Sequence, residues 1–547
     1  MMRTGPWVVA AAAAVMLGGY GQMTAKAGAA EAKDTQVVPQ YGLFEISFTS
    51  EEKWDNPFWD PAVWATFTSP SGKPARVDGF YYGGGEWRVR FVPRELGRWT
   101  YAAVHGSGTQ QMKKQGSFQC KGVHGRGFLR ISPRNPYRLE YEDGTPFYPI
   151  GVQTGGYTTV GFDGPWAGQH WEMVPVAQWC RAFEGAANLA RWQMRPGGRP
   201  GHGLALIAGY SRLDRYDTDA AAEMDGLFRL ERQHGFAHIL TPFEDMSLWG
   251  DRLSAFGAAR DLEQYKSLQA KNLPLQEKYL RYLVARFACY VDIWELFNED
   301  SYAPNDYLAH LAKVVRDADP YDHIITTNYA RPKQPWCEVV TWHEYMGMPA
   351  NGVDAYLAGE ISKFKAYGKV VLNTEFGNQG WLSNYDPVKW RIAVWTAFMN
   401  ESSILFWNSS GVKRRGRRPY RGNANAYLGP ESRQAFRVLN EFTAGMPVDM
   451  RPVASGYTEH NDIRTYALSN GKVTAVYVHH FSDHQKPYQF PDPLFVQTGP
   501  GRFRAKWIDA ADGKVIRTDE SGTQQQYLPI RLPPVTIDAA CRIDRLE

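Results

Sequence analysis

At 547 residues the chain exceeds what a single hydrophobic core organises, so it should fold as more than one domain. Lys+Arg 61 against Asp+Glu 57 leaves a net charge of +4, too balanced to argue for nucleic acid as a partner. Aromatic residues make up 14% of the chain, with 19 Trp, more than core packing usually needs. Indole and phenol rings stack on sugars but also anchor β-sandwich cores, and composition does not choose between these uses.

The N-terminus carries a basic region around Arg3, an apolar stretch from Trp7 to Leu17, and small-residue sites such as Ala25-Lys26-Ala27. This pattern predicts a signal peptide over residues 1–30 and a secreted or periplasmic product with no membrane association after cleavage. An uncleaved anchor is the alternative, although the run is short for a spanning helix. No Cys lies near the expected cut, which disfavours lipidation. The five cysteines Cys120, Cys180, Cys289, Cys337 and Cys541 are scattered without metal-ligand spacing and read mostly as buried apolar side chains, with one disulfide left open.

Residues 31–125 show short alternating runs broken by Gly and Pro, among them Phe44 to Phe48, Val63 to Phe67 and Trp87 to Phe91. Alternation at this spacing predicts a β-sandwich. Residues 126–445 alternate strands with helices. The expected strands are Phe147–Val152, Asn188–Met194, Phe236–Pro242, Asp292–Glu299, His323–Asn328, Val339–His343, Lys369–Gly377 and Ile404–Trp407. Asn305 is expected to cap one helix, and Asp386 another with Pro387 in its first position. Eight such repeats predict an α/β fold, a (β/α)8 TIM barrel. Residues 446–547 return to short strands, including Ile463–Leu468, Val473–Val478 and Phe503–Asp509, and predict a second β-sandwich.

Two barrel strands end in acids. The run Asp292-Ile293-Trp294-Glu295-Leu296-Phe297 breaks off at Asn298-Glu299, and Lys369 to Thr374 breaks off at Glu375. Barrel enzymes carry their chemistry at the C-terminal ends of such strands. Two carboxyl groups about 5–5.5 Å apart can cleave a glycosidic bond with retention, one protonating the leaving group and one attacking the anomeric carbon. A strand-end Glu taken alone reads equally well as a helix cap or an Arg partner. Glu295 shares the inward parity of Glu299 but lies about 13 Å deeper, at roughly 3.3 Å per residue, and reads as structural.

The Asn298-Glu299 pair together with Glu375 resembles the clan A glycoside hydrolases, the retaining (β/α)8 enzymes. The resemblance spans the barrel. It implies Glu299 as acid/base, Glu375 as nucleophile and Asn298 as the amide that holds the sugar 2-hydroxyl. It further implies Arg191 beside the nucleophile, His343 and Tyr345 on strand six, and Trp407 as the floor of the cleavage subsite. The flanking segments resemble an immunoglobulin-like N-terminal module and a collagen-binding-type C-terminal β-sandwich. Neither resemblance implies chemistry of its own.

Loops after the strands should contribute subsites, so Gln153, Tyr157, Trp166, Trp171, Asp245, Trp249 and Trp381 are candidate sugar contacts, each equally readable as a packed anchor. Glu244 and Asp245 could also give Glu299 a different partner and an inverting arrangement. Lys413-Arg414-Arg415-Gly416-Arg417-Arg418 follows strand eight; guanidinium forks there would suit an acidic or sulfated glycan, and the plainer reading is a solvated basic loop. His479, His480 and His484 match no zinc spacing and read as a loop. No metal or cofactor is expected. The expectation is a retaining hydrolase of β-linked poly- or oligosaccharide; the rivals are a non-catalytic carbohydrate-binding or adhesive protein, and a transglycosylase on the same frame.

Overall fold

The computed structural model describes residues 36–108, 110–153, 176–194, 206, 213–243, 262–378, 386–406, 428–457, 462–489 and 492–546. The first part is a sandwich of two sheets. Five strands run in the order Val37–Gln40, Gln110–Val123, Gly97–Ser107, Ala62–Thr68 and Pro74–Asp78, facing three in the order Phe44–Thr49, Glu86–Phe91 and Phe80–Gly83. The alternation that predicted these strands buries Phe44, Phe67, Phe91, Trp99 and Phe118 between the sheets, where Phe67 stacks on Phe91 at 4.1 Å.

The sandwich is fixed to the barrel by a buried ion cluster. Arg90 donates to both Asp225 oxygens at 2.6 and 2.9 Å, and Arg286 donates to the same carboxylate at 2.9 Å. A charge so deep is tolerable because each group has opposite partners at hydrogen-bonding distance.

The barrel strands, numbered one to eight, are Ile150–Gln153, Leu189–Gln193, Ala237–Thr241, Ile293–Glu295, Ile324–Thr326, Val339–Met346, Val370–Asn378 and Ser402–Phe406, all parallel where they pair. The ladder runs 5-4-3-2-1-8-7-6. Between strands five and six the ring is bridged by Thr326 donating to the Val339 carbonyl at 2.7 Å and Thr341 to the Thr327 carbonyl at 2.8 Å. In strand one, a Cβ on Gly151 would stand 2.1 Å from Leu405 Cγ, so only glycine leaves room for the leucine in the barrel core.

Strand one begins later than the sequence suggests. Pro146–Phe147 turns away to pair with Leu139–Tyr141, which pairs in turn with Leu129–Ile131. Leu129, Leu139 and Phe147 pack on Leu189, Ala237, Ile293, Ile324, Val339 and Val370, the first residues of strands two to seven. This small antiparallel sheet therefore caps the barrel at its N-terminal end. The opposite end carries the acids.

Helix Asn305–Ala318 starts one residue earlier than expected: Pro304 occupies the cap position, and Asn305 is the first helical residue. Asp386 does cap helix Pro387–Met399, accepting from the Lys389 amide at 2.9 Å. That helix is buried almost all round because it lies between the barrel and the C-terminal strands, with Trp395 stacked on Tyr477 at 5.4 Å.

The last part is a second two-sheet sandwich, six strands in the order Arg451–Pro452, Ile463–Ser469, Val473–His480, Asp538–Arg545, Gly501–Asp509 and Val515–Thr523, over three formed by Ser455–Gly456, Leu494–Gln497 and Tyr527–Ile530. His479 and His480 end a buried strand rather than lying in a loop, and His479 Nδ1 sits 2.9 Å from Asp354 Oδ2 on a barrel helix. The strand expected at 473–478 runs two residues further, buried throughout after Val473, with that barrel carboxylate as the partner of the imidazole. All five cysteines are free thiols, four of them buried.

Candidate active site

Strand four loses its regular ladder after Glu295, but the chain keeps its direction through a parallel bridge between Phe243 and Phe297, and Asn298 N–H donates to the Phe243 carbonyl at 2.9 Å. Glu299 then takes φ 51°, in the left-handed region that a non-glycine residue adopts at some cost. Its N–H donates to Asn328 Oδ1 at 3.2 Å, so the end of strand five holds the turn that presents the carboxylate.

Strand seven delivers the second acid through an irregularity. Trp342 pairs with Asn373, but the next residue, His343, pairs with Glu375, leaving Thr374 as an extra residue on strand seven. A bulge of this kind interrupts the alternation of faces. As a result two consecutive side chains point inward: Thr374 donates to Glu295 at 3.3 Å, and Glu375 reaches the cleft.

Arg191 on strand two ties these groups together and is fully buried. Its Nε donates to Glu295 at 2.5 Å, Nη1 to Glu375 at 2.8 Å and to Gln153 at 3.1 Å, and Nη2 to Asn298 Oδ1 at 2.8 Å. Glu295 also accepts from Thr241 at 2.7 Å, which gives the deep carboxylate its structural role. Gln153, a candidate sugar contact, is buried behind the guanidinium instead. Gln193, two residues after Arg191 with the same inward parity, donates to Glu375 at 3.0 Å. That shared parity with Arg191 is the one signal in the sequence that points to Gln193.

The two acids sit in different surroundings. Glu375 is 5% exposed and accepts from Arg191, Gln193 and Tyr345, whereas Glu299 is 39% exposed and lies 2.8 Å from His343 Nδ1. Burial alone would raise the pKa of Glu375; the charges of His343 and Arg191 and the Tyr345 hydrogen bond outweigh it and hold the carboxyl below its usual range. Tyr345 is raised by burial and by the Glu375 charge, so it stays a protonated donor. Arg191 is raised despite burial, by Glu295 and Glu375, and stays charged.

Oxygen atoms of Glu299 and Glu375 and a ring nitrogen of His343 all lie within 4.8 Å of one another. Among the described residues this is the one group of His, Cys, Asp and Glu close enough to share a metal ion. The guanidinium 2.8 Å from Glu375 opposes a divalent cation there. The structure thus brings together Arg191, Asn298, Glu299, His343, Tyr345 and Glu375. Trp407, Asp245, Trp249, Trp381, Tyr157, Trp166, Trp171, Glu244 and the basic run 413–418 lie outside the described residues.

This is a (β/α)8 barrel with flanking β domains, its acids at the C-terminal ends of strands four and seven. The same fold occurs in a protein from Bacteroides vulgatus ATCC 8482 named as a candidate glycoside hydrolase, with TM-score 0.69 and 18% identity over 94% of this chain and 100% of that one. A glycoside hydrolase family 5 structure from the same organism has TM-score 0.55 and 15% identity over 77% of this chain and 93% of that one. A further structure named glycoside hydrolase has TM-score 0.55 and 14% identity over 77% and 97%. Residues 37–105 match a domain of unknown function, DUF5060. No curated protein is similar to the chain in sequence.

Proposed function

We propose that the protein is a glycoside hydrolase that cleaves β-linked poly- or oligosaccharide with retention, Glu375 acting as nucleophile and Glu299 as acid/base. The observation that carries this reading is the approach of the two carboxyl groups to within 4.8 Å. Retaining enzymes hold their acids about 5–5.5 Å apart, and inverting ones about 6.5–9.5 Å to admit a water between them. The environments divide the roles. Glu375, kept ionised by Arg191 and Tyr345, attacks the anomeric carbon while Glu299 gives its proton to the departing oxygen. The covalent intermediate neutralises Glu375; Glu299, now ionised, takes a proton from the attacking water and the sugar leaves with its configuration kept. Asn298, oriented by Arg191, is placed to hold a hydroxyl beside the reacting carbon. The fold shared with structures named glycoside hydrolases supports the same class.

On this reading residues 126–445 are the catalytic domain between sandwiches at 31–125 and 446–547. The apolar N-terminal stretch supports export to the periplasm or medium, and the basic run 413–418 supports an acidic or sulfated glycan as substrate. A panel of neutral, uronate and sulfated glycans, with products read by mass spectrometry and anomeric configuration by NMR, tests the proposal. Retention of configuration by the wild type and loss of cleavage in Glu375→Ala are expected. Cleavage surviving in that variant removes Glu375 as nucleophile. Neutralising the arginines of 413–418 should weaken only anionic substrates.

A further inference from the structure

The N-terminal sandwich carries one large aromatic side chain, Trp64, that its core does not use. In Ala62–Thr68, Ala65 and Phe67 are buried between the sheets, so alternation turns Trp64 to the outer face. On that face the neighbouring strand sets Asp78 directly opposite Trp64, and Arg76 opposite Thr66. The Arg76 guanidinium lies 4.4 Å from the Trp64 ring centroid, and its Nε lies 3.5 Å from Asp78, with the two side chains 61% and 37% exposed. These three line a cavity of about 200 Å³ together with Trp59 and with Arg281 of helix Leu262–Phe287.

The floor of this cavity is core packing, Phe80 and Trp87 among it, but its rim of Trp64, Arg76 and Asp78 is unlike such packing. An ion pair so open adds little stability, and its groups can rearrange around a ligand. A pyranose offers a C–H face that stacks on an indole and a rim of hydroxyls that pair with guanidinium and carboxylate groups. The volume is below the roughly 300–1,000 Å³ of sites that enclose a whole ligand, which suits one unit of a longer chain.

Its position points the same way. The Trp59 indole donates to the Asp214 carbonyl at 3.0 Å, and Asn56 donates to the Asp214 carboxylate at 2.8 Å. Asp214 belongs to the connection between strand two and helix Thr218–Gln233, which starts from the barrel's catalytic end. From there rings lead inward, Phe58 to Tyr216 at 5.1 Å, Tyr216 to Tyr279 at 5.5 Å, Tyr279 to Phe243 at 5.9 Å and Phe243 to Phe297 at 4.9 Å. Phe297 adjoins Asn298.

We infer that this cavity is an accessory glycan-binding site, in which the sandwich holds a distal sugar of the polysaccharide whose bond is cut at the barrel. The inference rests on the glycosidase reading for the identity of the sugar. It gives the domain matched at residues 37–105 a function: retaining long substrates at the catalytic face.

Native affinity electrophoresis tests it, with the full chain carrying Glu375→Ala run through gels containing mixed-linkage β-glucan, galactomannan, xylan or polygalacturonate. At least one polymer should retard the protein, and Trp64→Ala should weaken that retention about tenfold, the scale of one stacked ring. Asp78→Ala, at a half-buried position on the outer face of the sheet, should weaken it as well. In the otherwise wild-type chain both changes should leave cleavage of a short aryl β-glycoside unaltered. Retardation by no polymer, retention unchanged in both variants, or aryl glycoside cleavage falling in step with retention would each overturn the inference. Retention that depends on Trp64 in a wild type that cleaves no glycoside would uphold the binding site and sink the glycosidase reading instead.

Discussion

Arg191 donates to Glu295, Glu375, Asn298 and Gln153 from one buried guanidinium, so its single charge is shared between two carboxylates. Removing it would leave Glu295 without its countercharge and Glu375 with only His343, Gln193 and the Tyr345 hydroxyl to offset its burial, and Arg191→Ala should cost about 3–5 kcal/mol, measurable by chemical denaturation. Tyr345→Phe is a finer probe because it removes only the hydroxyl that donates to Glu375. Glu375 is held below its usual pKa, partly by that hydroxyl, and a nucleophile must be ionised. Losing the donor raises the pKa, so the acid limb of kcat/KM should move to higher pH, with kcat down roughly 10²-fold, the usual loss for one preorganised donor. An acid limb that stays in place would show that Tyr345 does not tune the nucleophile.

The strand ends that carry Asn298, Glu299 and Glu375 were legible in the sequence because each is an apolar run cut short by a polar group, and apolar runs of that length in alternation with helices define a parallel barrel. The bulge at Thr374 was not legible. It depends on the register between strands six and seven, which no single run of residues encodes, yet it is what lets Glu375 and Thr374 both face inward. Helix starts show the same division. Asp386-Pro387 reads correctly because an Asx side chain before proline satisfies an orphan amide locally, and Asp386→Ala should lower stability by about 1 kcal/mol in a thermal or urea melt. Asn305 misleads because Pro304 already holds the extended backbone of the cap position, so the asparagine falls inside the helix and makes no capping bond. His479 misleads for a reason outside its own strand: its partner, Asp354, is more than a hundred residues away in sequence.

Across the whole molecule that partner sets how the C-terminal sandwich is held. Asp354, fully buried in the first turn of helix Val353–Lys365, accepts from Arg464 at 2.6 Å and Tyr466 at 3.1 Å and lies 2.9 Å from His479, all three on the sandwich. Burial would raise the pKa of this carboxyl, but the hydrogen bond and charge of His479 and the charge of Arg464 hold it below its ordinary value. A depressed carboxylate contributes stability that is fully present above its unfolded pKa near 3.9 and is lost as pH falls through the lower folded value. Asp354→Asn keeps the shape and removes the charge. It should cost about 2 kcal/mol, less than the roughly 3–5 of a fully buried pair, because Arg464 stays 29% exposed. Hydrogen exchange should show the loss in strands Ile463–Ser469 and Val473–His480, with the barrel strands that carry Glu299 and Glu375 unaffected. As the pH is lowered below about 4, protection in those two strands should fall further in the wild type, while the variant, having no carboxylate to protonate there, should stay level through that window. An acid transition of the same size in the variant would mean that another group carries the docking, and Asp538, which accepts from Arg391 at 2.9 Å across the same boundary and from Tyr477 at 2.9 Å within the sandwich, is the one to change next.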